Sequence, residues 1–143
     1  ETLFYNGITA SFKYLYTLPD GSTTLSAADS VTAYKANNSS SSLVNYSMNT
    51  STEQKVQAII TQKFIALNFI HGHEAWNEYR RTHYPVIIAG GNAYQTFASI
   101  VSESTRSDKL PTRILYPTSE GSYNSENVPK NISPFTSLIF WAQ

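Results

Sequence analysis

His71-Gly72-His73-Glu74 places two imidazoles and a carboxylate within four residues, side chains of the kind that bind a divalent metal. Zinc helices set their histidines four apart, because that spacing puts both on one face. Here the spacing is two, and no third ligand follows at a recognisable distance. The stretch reads as an ordinary helix junction, and no metal is expected. Glu74 and Glu78 do lie four apart and share a face, as an acid/base pair lining a cleft would. The same spacing lets them pair with Arg81 and Arg80 and fix the helix, which is the stronger reading. Ser119, in Thr118-Ser119-Glu120, lacks the glycines of a nucleophile elbow, and no triad can be built from spacing. Gly90-Gly91-Asn92 lacks the rest of a phosphate loop. The expectation is a protein with no catalytic residues and no cofactor.

The aromatic side chains offer a different chemistry. Sugar rings have apolar C–H faces that stack on flat rings, while Asn, Gln and Arg bond the hydroxyls. Tyr94 and Tyr123 are candidate ligand contacts of this type. The competing reading for both is partial burial in the protein body.

Composition narrows the class. The 143 residues are 41% hydrophobic, enough for a core, but only 14% charged, well below the usual quarter. Neutral polar residues and 10 Tyr fill the difference, a balance that suits an extracytoplasmic surface protein. Net charge is zero, and Arg80-Arg81 is the only adjacent basic pair. No basic stripe is present to neutralise phosphates, so no nucleic-acid partner is expected. The absence of cysteine excludes disulfides, thiolate metal sites and cysteine nucleophiles. No apolar run reaches the ~18 residues of a membrane span. The chain opens Glu1-Thr2-Leu3 with no Met or signal peptide, and it reads as processed, truncated or both.

The elements that would position these residues are mainly helical. Leu3, Phe4, Ile8, Phe12, Leu15 and Tyr16 recur at helical steps over about 2–18, and Pro19-Asp20-Gly21-Ser22 ends that run. A second helix is predicted from Ser26, with Asp29 completing a cap. It fades into Asn37-Asn38-Ser39-Ser40-Ser41-Ser42, read as a mobile polar loop, and Leu43-Val44-Asn45-Tyr46 reads as extended. Ser51 and Gln54 form a capping box for a third helix over 52–70. Val56, Ile59, Ile60, Phe64, Leu67 and Ile70 give it one apolar face, and Ile65, Ala66 and Phe69 a second. A helix apolar on two faces lies between neighbours. Gly72 is read as its interruption, and a fourth helix is predicted over 73–81, with Ala75, Trp76 and Tyr79 inward and Pro85 blocking extension. Beyond it, Val86–Ala89 is extended or buried, and Tyr94–Val101 is open between strand and helix. Residues 102–110 read as loop, Pro111–Pro117 as extended, Ser119–Asn127 as one or two helical turns, and Phe135–Trp141 as an apolar tail that must dock. The two hairpins, at roughly 2–36 and 52–82, resemble solenoid units.

Longer stretches carry a family resemblance. Ile60-Thr61-Gln62-Lys63-Phe64-Ile65-Ala66-Leu67, Glu74-Ala75-Trp76-Asn77-Glu78-Tyr79-Arg80-Arg81-Thr82 and Tyr84-Pro85 resemble the signature of the SusD/RagB family. There a buried helix with a Gln-Lys pair leads into a Glu-Ala-Trp helix and an Arg-Arg-Thr-Gly-Tyr-Pro turn. Pro111-Thr112-Arg113-Ile114-Leu115-Tyr116-Pro117, followed by Asn124-Ser125-Glu126-Asn127, resembles the family's Pro-Arg-Arg-Leu-Tyr-Pro and Asn-Pro-Glu-Asn stretch. Phe140-Trp141 resembles its last residues. His83, Thr112 and Ser125 depart from the usual Gly, Arg and Pro, and read as turn and surface details.

The resemblance implies a mainly α fold of tetratricopeptide-like hairpins, helical over about 1–84 and loop-rich over about 85–143, forming the C-terminal portion of a SusD/RagB-like domain. It implies a non-catalytic, outer-membrane, surface-exposed lipoprotein whose lipid-anchored cysteine lies upstream of this chain. Such a protein captures an oligosaccharide or peptide nutrient and hands it to a SusC-like TonB-dependent transporter. No binding residue carries over by motif. The alternative is a helical scaffold that binds only protein. In either case Trp76 is expected to be buried as an anchor. Leu3, Phe4 and Phe12 are expected to lack some of their partners if the chain ends a longer helical body.

Overall fold

The structure, a computed structural model, describes residues 1–86, 98–99 and 101–140. It divides into two compact units, Glu1–Pro85 and Val86–Gln143. Among the described residues all regular elements are helical, apart from a single bridge between Thr17 and Thr23. The mainly α expectation, with irregular chain after Pro85, therefore holds.

In the first unit, α1 spans Thr2–Tyr16 and buries Ile8. It stops where Thr17 turns extended and returns its N–H and hydroxyl to the Lys13 carbonyl. The following turn needs Gly21, whose φ of 83° lies in the left-handed region, and Asp20 accepts from both the amide and the hydroxyl of Ser22. Helix α2, Ala27–Asn37, starts as expected from Ser26, whose Oγ accepts from the Asp29 amide at 3.2 Å. It packs on α1 through Phe12 against Tyr34, a Tyr16-to-Ser30 hydroxyl bond of 2.9 Å, and Lys35 Nζ over the Tyr5 ring.

The connector from α2 differs from its expectation. Leu43–Tyr46 is not a strand: it turns, and a short 3₁₀ helix follows over Tyr46–Met48. Nor is the polar stretch free of ties. Asn49, only 6% exposed, donates to the carbonyls of Ser42 and Tyr46. Asn45 donates to the Ser39 carbonyl. Asn and Ser compete for backbone bonds in this way, and that competition favours turns over regular ladders.

Helix α3, Thr52–Leu67, opens on a complete capping box: Ser51 Oγ accepts from the Gln54 amide and Gln54 Oε1 accepts from the Ser51 amide, both at 3.1 Å. It buries Ala58 and Ile60. It ends three residues earlier than the periodicity predicts, because Phe69 adopts a φ of 61° and the amides of Ile70 and His71 both return to the Leu67 carbonyl. Gly72 does not break the helix; it is the first residue of α4, Gly72–Thr82. Nor is α3 covered on both faces, since Ile59 and Ile65 are exposed and Phe69 is fully so. Helix α3 packs on α4 and on α1. Helix α4 ends on His83, at φ 60°, whose amide returns to the Tyr79 carbonyl at 2.7 Å. This is the left-handed cap that glycine usually supplies, and His83 supplies it here without one.

The second unit holds one helix among its described residues, α5, Thr118–Tyr123, shorter than the predicted 119–127. Pro111–Pro117 forms no strand and bends at Thr112 and Arg113. The loop before it is closed by its own side chains. Arg106 makes a two-pronged bond to Asp108 at 3.0 and 2.7 Å, and Asp108 accepts from the Leu110 amide. Buried Ser104 donates to the Leu110 carbonyl. Thr112 is no surface detail. It is buried, its amide and hydroxyl both donate to the Pro134 carbonyl, and the hydroxyl also reaches Ser137. The tail is thus anchored at its start, but Phe140 is 86% exposed instead of docked. The readings made for 87–97, Ile100 and Trp141 lie outside the described residues.

Candidate functional site

The signature residues meet where α3 joins α4. The four-residue break between these helices, 68–71, brings Lys63 of α3 over the Glu74–Glu78 face of α4. Lys63 Nζ lies 2.7 Å from Glu74 Oε1 and 2.7 Å from Glu78 Oε1. Arg81 closes the other side of Glu78, at 2.5 Å from Oε2. The two carboxylates therefore share a face, as their spacing predicts, but their common partner is Lys63. Arg80 is not that partner: its guanidinium lies over the Trp76 ring at 4.2 Å and donates to Asn77.

Electrostatics follow from this geometry. The Lys63 bond, with a smaller contribution from Arg81, holds the Glu78 carboxyl below its ordinary range against the opposing effect of burial. Lys63 is pushed above its ordinary value by Glu74 first and Glu78 second. A general acid working near neutrality needs the opposite, a carboxyl raised enough to keep its proton. The cluster is built to stay charged, and its chemistry is that of a clamp between two helices.

The two histidines of the apparent metal motif do different jobs. His71 is the N-cap of α4, and its Nδ1 accepts from the Glu74 amide at 3.2 Å. His73 sits exposed in the first turn. Trp76 corrects the anchor expectation: it is half-buried, while Ala75 and Tyr79 are the buried residues of α4. Those two are four apart and share the buried face of α4. Trp76, one position further on, rotates about 100° away and takes the Arg80 guanidinium on its face.

Further bonds join elements. Gln62, beside Lys63, exchanges hydrogen bonds with the Tyr34 hydroxyl of α2 and donates to the Leu43 carbonyl at 3.0 Å. The Tyr5 hydroxyl of α1 donates to Val44 and accepts from the Tyr46 amide. The Gln-Lys pair therefore fastens α3 in two directions, Gln62 towards α2 and the connector, Lys63 towards α4.

Of the two sugar-stacking candidates, only Tyr123 is among the described residues. Tyr94 lies outside the described residues. Tyr123 closes α5 with its side chain 92% exposed. A concavity lies elsewhere, in the first unit. It is an open groove of about 640 Å³ between α1 and α3, lined chiefly by apolar side chains, among them Phe4, Phe12, Leu15, Ile59 and Ala66, with Gln62 at its polar point. Spacing alone did not single it out as a site. Its signal was the second apolar face of α3, which reads equally as a face covered by a neighbour.

The family model described as SusD-like, the SusD and RagB outer membrane lipoproteins, matches residues 2–137. The chain belongs to the SusD-like family. Comparison with curated proteins and with solved structures finds no match. In this SusD-like chain the signature residues Gln62, Lys63, Glu74, Glu78 and Arg81 are engaged by one another, by the Tyr34 hydroxyl and by the Leu43 carbonyl, so the motif builds the scaffold. No described helix is long and apolar enough to cross a membrane.

Proposed function

We propose that the chain is the C-terminal portion of a SusD/RagB-like nutrient receptor on the outer membrane surface. In this reading it binds an oligosaccharide without chemically altering it and passes it to a SusC-like TonB-dependent transporter, held to the membrane by a lipid-anchored cysteine upstream. The observation that carries the proposal is the family match over residues 2–137. The occupied state of Glu74 and Glu78 supports binding over catalysis, because both are engaged by Lys63. Tyr123, open to solvent beside neutral polar residues, suits stacking on a sugar face.

Glycan-array screening of the full-length protein, followed by calorimetry on the hits, tests this. Binding of a defined oligosaccharide with no turnover is the expected result. Exclusive binding of peptides would replace the glycan with a peptide nutrient. Hydrolysis abolished by Glu74→Gln would overturn the non-catalytic reading. The apolar groove between α1 and α3 favours one second reading, a helical scaffold that binds only protein. That reading predicts no small ligand at all on the array and a protein partner lost on Leu15→Glu.

A further inference from the structure

All three histidines of the chain stand at the ends of α4. His71 is its N-cap, His73 is in its first turn, and His83 is its left-handed C-cap, edge-on to the Tyr79 ring. The cap at His71 is chemically unusual. N-caps are ordinarily Ser, Thr, Asp or Asn, whose oxygens accept an amide proton over the whole physiological pH range. His71 accepts the Glu74 amide through Nδ1 at 3.2 Å, and an imidazole nitrogen can accept only while it carries no proton. Helix α3 has a Ser51–Gln54 box in the equivalent place, with no group that titrates near neutrality.

We propose that the first turn of α4 is an acid-sensitive latch, closed by neutral His71 and opened when Nδ1 is protonated. Protonation acts twice in the same direction. It removes the acceptor from the Glu74 amide, and it puts a positive charge at the positive end of the helix. The surrounding charges do not reverse this. Glu74, three residues on, is the one carboxylate in the first turn, and its Oε1 is already bound to Lys63 of α3. Glu78 is shared between Lys63 and Arg81. His73 adds a second positive charge at the same end when protonated. From α3, Lys63 is the charge that meets this turn, while Glu53 is engaged by the Tyr84 hydroxyl beyond the other end of α4. Arg80 and Arg81 stand in the last turn, and His83 caps the far end, where positive charge is favoured. The opening is therefore confined to the turn that carries Glu74, which is one of the two carboxylates clamped to α3. Histidine is the side chain whose ordinary charge change falls between pH 5 and 8, so the latch responds to mild acid.

Amide exchange read by NMR on the ¹⁵N-labelled chain, at pH 7.5 and pH 5.0 and corrected for intrinsic rates, tests this. The Glu74 amide is expected to lose protection by about fivefold on acidification, the population change that goes with losing an ordinary N-cap. The Gln54 amide, capped by Ser51, serves as internal reference and keeps its protection. His71→Asn supplies an acceptor that does not titrate, so Glu74 should then stay protected at both pH values. His73→Asn and His83→Asn should leave the loss in place. An unchanged Glu74 amide in the native chain overturns the proposal. So does the same loss in His71→Asn, or a parallel loss at Gln54.

Discussion

Tyr79 and Trp76 sit three residues apart on α4 and divide the work of an aromatic anchor unevenly. Tyr79 is buried, while Trp76 lends one face to Arg80 and stays partly exposed. Truncating a fully buried aromatic costs roughly 3–5 kcal/mol, transfer and cavity terms together. Tyr79→Ala should approach that range. Trp76→Ala should cost about 2 kcal/mol, because the ring is only partly covered and solvent can relax into the space. Urea unfolding of the two variants checks the order. A Trp76→Ala loss larger than that of Tyr79→Ala would show that the indole is the real keystone. Sequence reasoning grouped Ala75, Trp76 and Tyr79 as one inward set. The 3.6-residue period cannot separate Trp76 from Tyr79, which stand only about 60° apart round the helix.

At the scale of the element, the α3–α4 clamp has a pH window that follows from its charges. Glu78 is held below its ordinary value, so its contribution is present above that value and is lost as pH falls through the lowered one. Lys63 is raised, so its contribution is present below its ordinary value and is lost as pH rises through the raised one. The clamp is therefore whole through neutrality and fails at both extremes. Lys63 is more than a third exposed, and screening keeps the value of such pairs small. Lys63→Met should cost about 1 kcal/mol at pH 7 and flatten the decline towards acid. Denaturant midpoints at pH 7 and pH 3, for native and variant chains, measure both effects. The variant is expected to lose the gap between the two pH values that Glu78 creates. The helices themselves were legible in the sequence because their signals are local: the Ser51–Gln54 box, the Ser26 cap, the Pro19–Ser22 turn. Lys63 as the partner of both glutamates was not, since it comes from another helix and no spacing rule reaches across a turn. The early end of α3 was hidden for a related reason. Phe69 carries no breaker signal, yet it takes the left-handed conformation usually left to glycine.

Across the whole molecule the unsatisfied feature is the apolar stripe along α1 and α3. Leu3 is 85% exposed, and Leu15, Ile59 and Ile65 are exposed beside the groove. Contiguous apolar surface of this kind drives association. The chain is expected to self-associate at high concentration, and Leu3→Glu with Leu15→Glu should return it towards monomer without loss of helix. Sedimentation equilibrium with far-ultraviolet circular dichroism separates the two effects. A native chain that stays monomeric throughout would mean that the stripe is too broken to hold a partner. Sequence periodicity revealed the stripe on α1 and both faces of α3. It could not reveal which face would remain uncovered, because burial belongs to the assembled helices and not to any one of them.

The polar connector between α2 and α3 has a practical consequence for proteases. Asn-Asn-Ser-Ser-Ser-Ser is the kind of stretch that an enzyme of broad specificity normally nicks first. Here Asn45, Asn49, Gln62 and Tyr5 each hold a carbonyl between residues 39 and 46, and a protease needs an extended strand that those bonds forbid. Cleavage between 38 and 46 should therefore keep pace with unfolding of the chain as a whole. Asn49→Ala, which releases Ser42 and Tyr46 together, should convert the same stretch into the first site cut, while the helices on either side survive as discrete fragments on a gel.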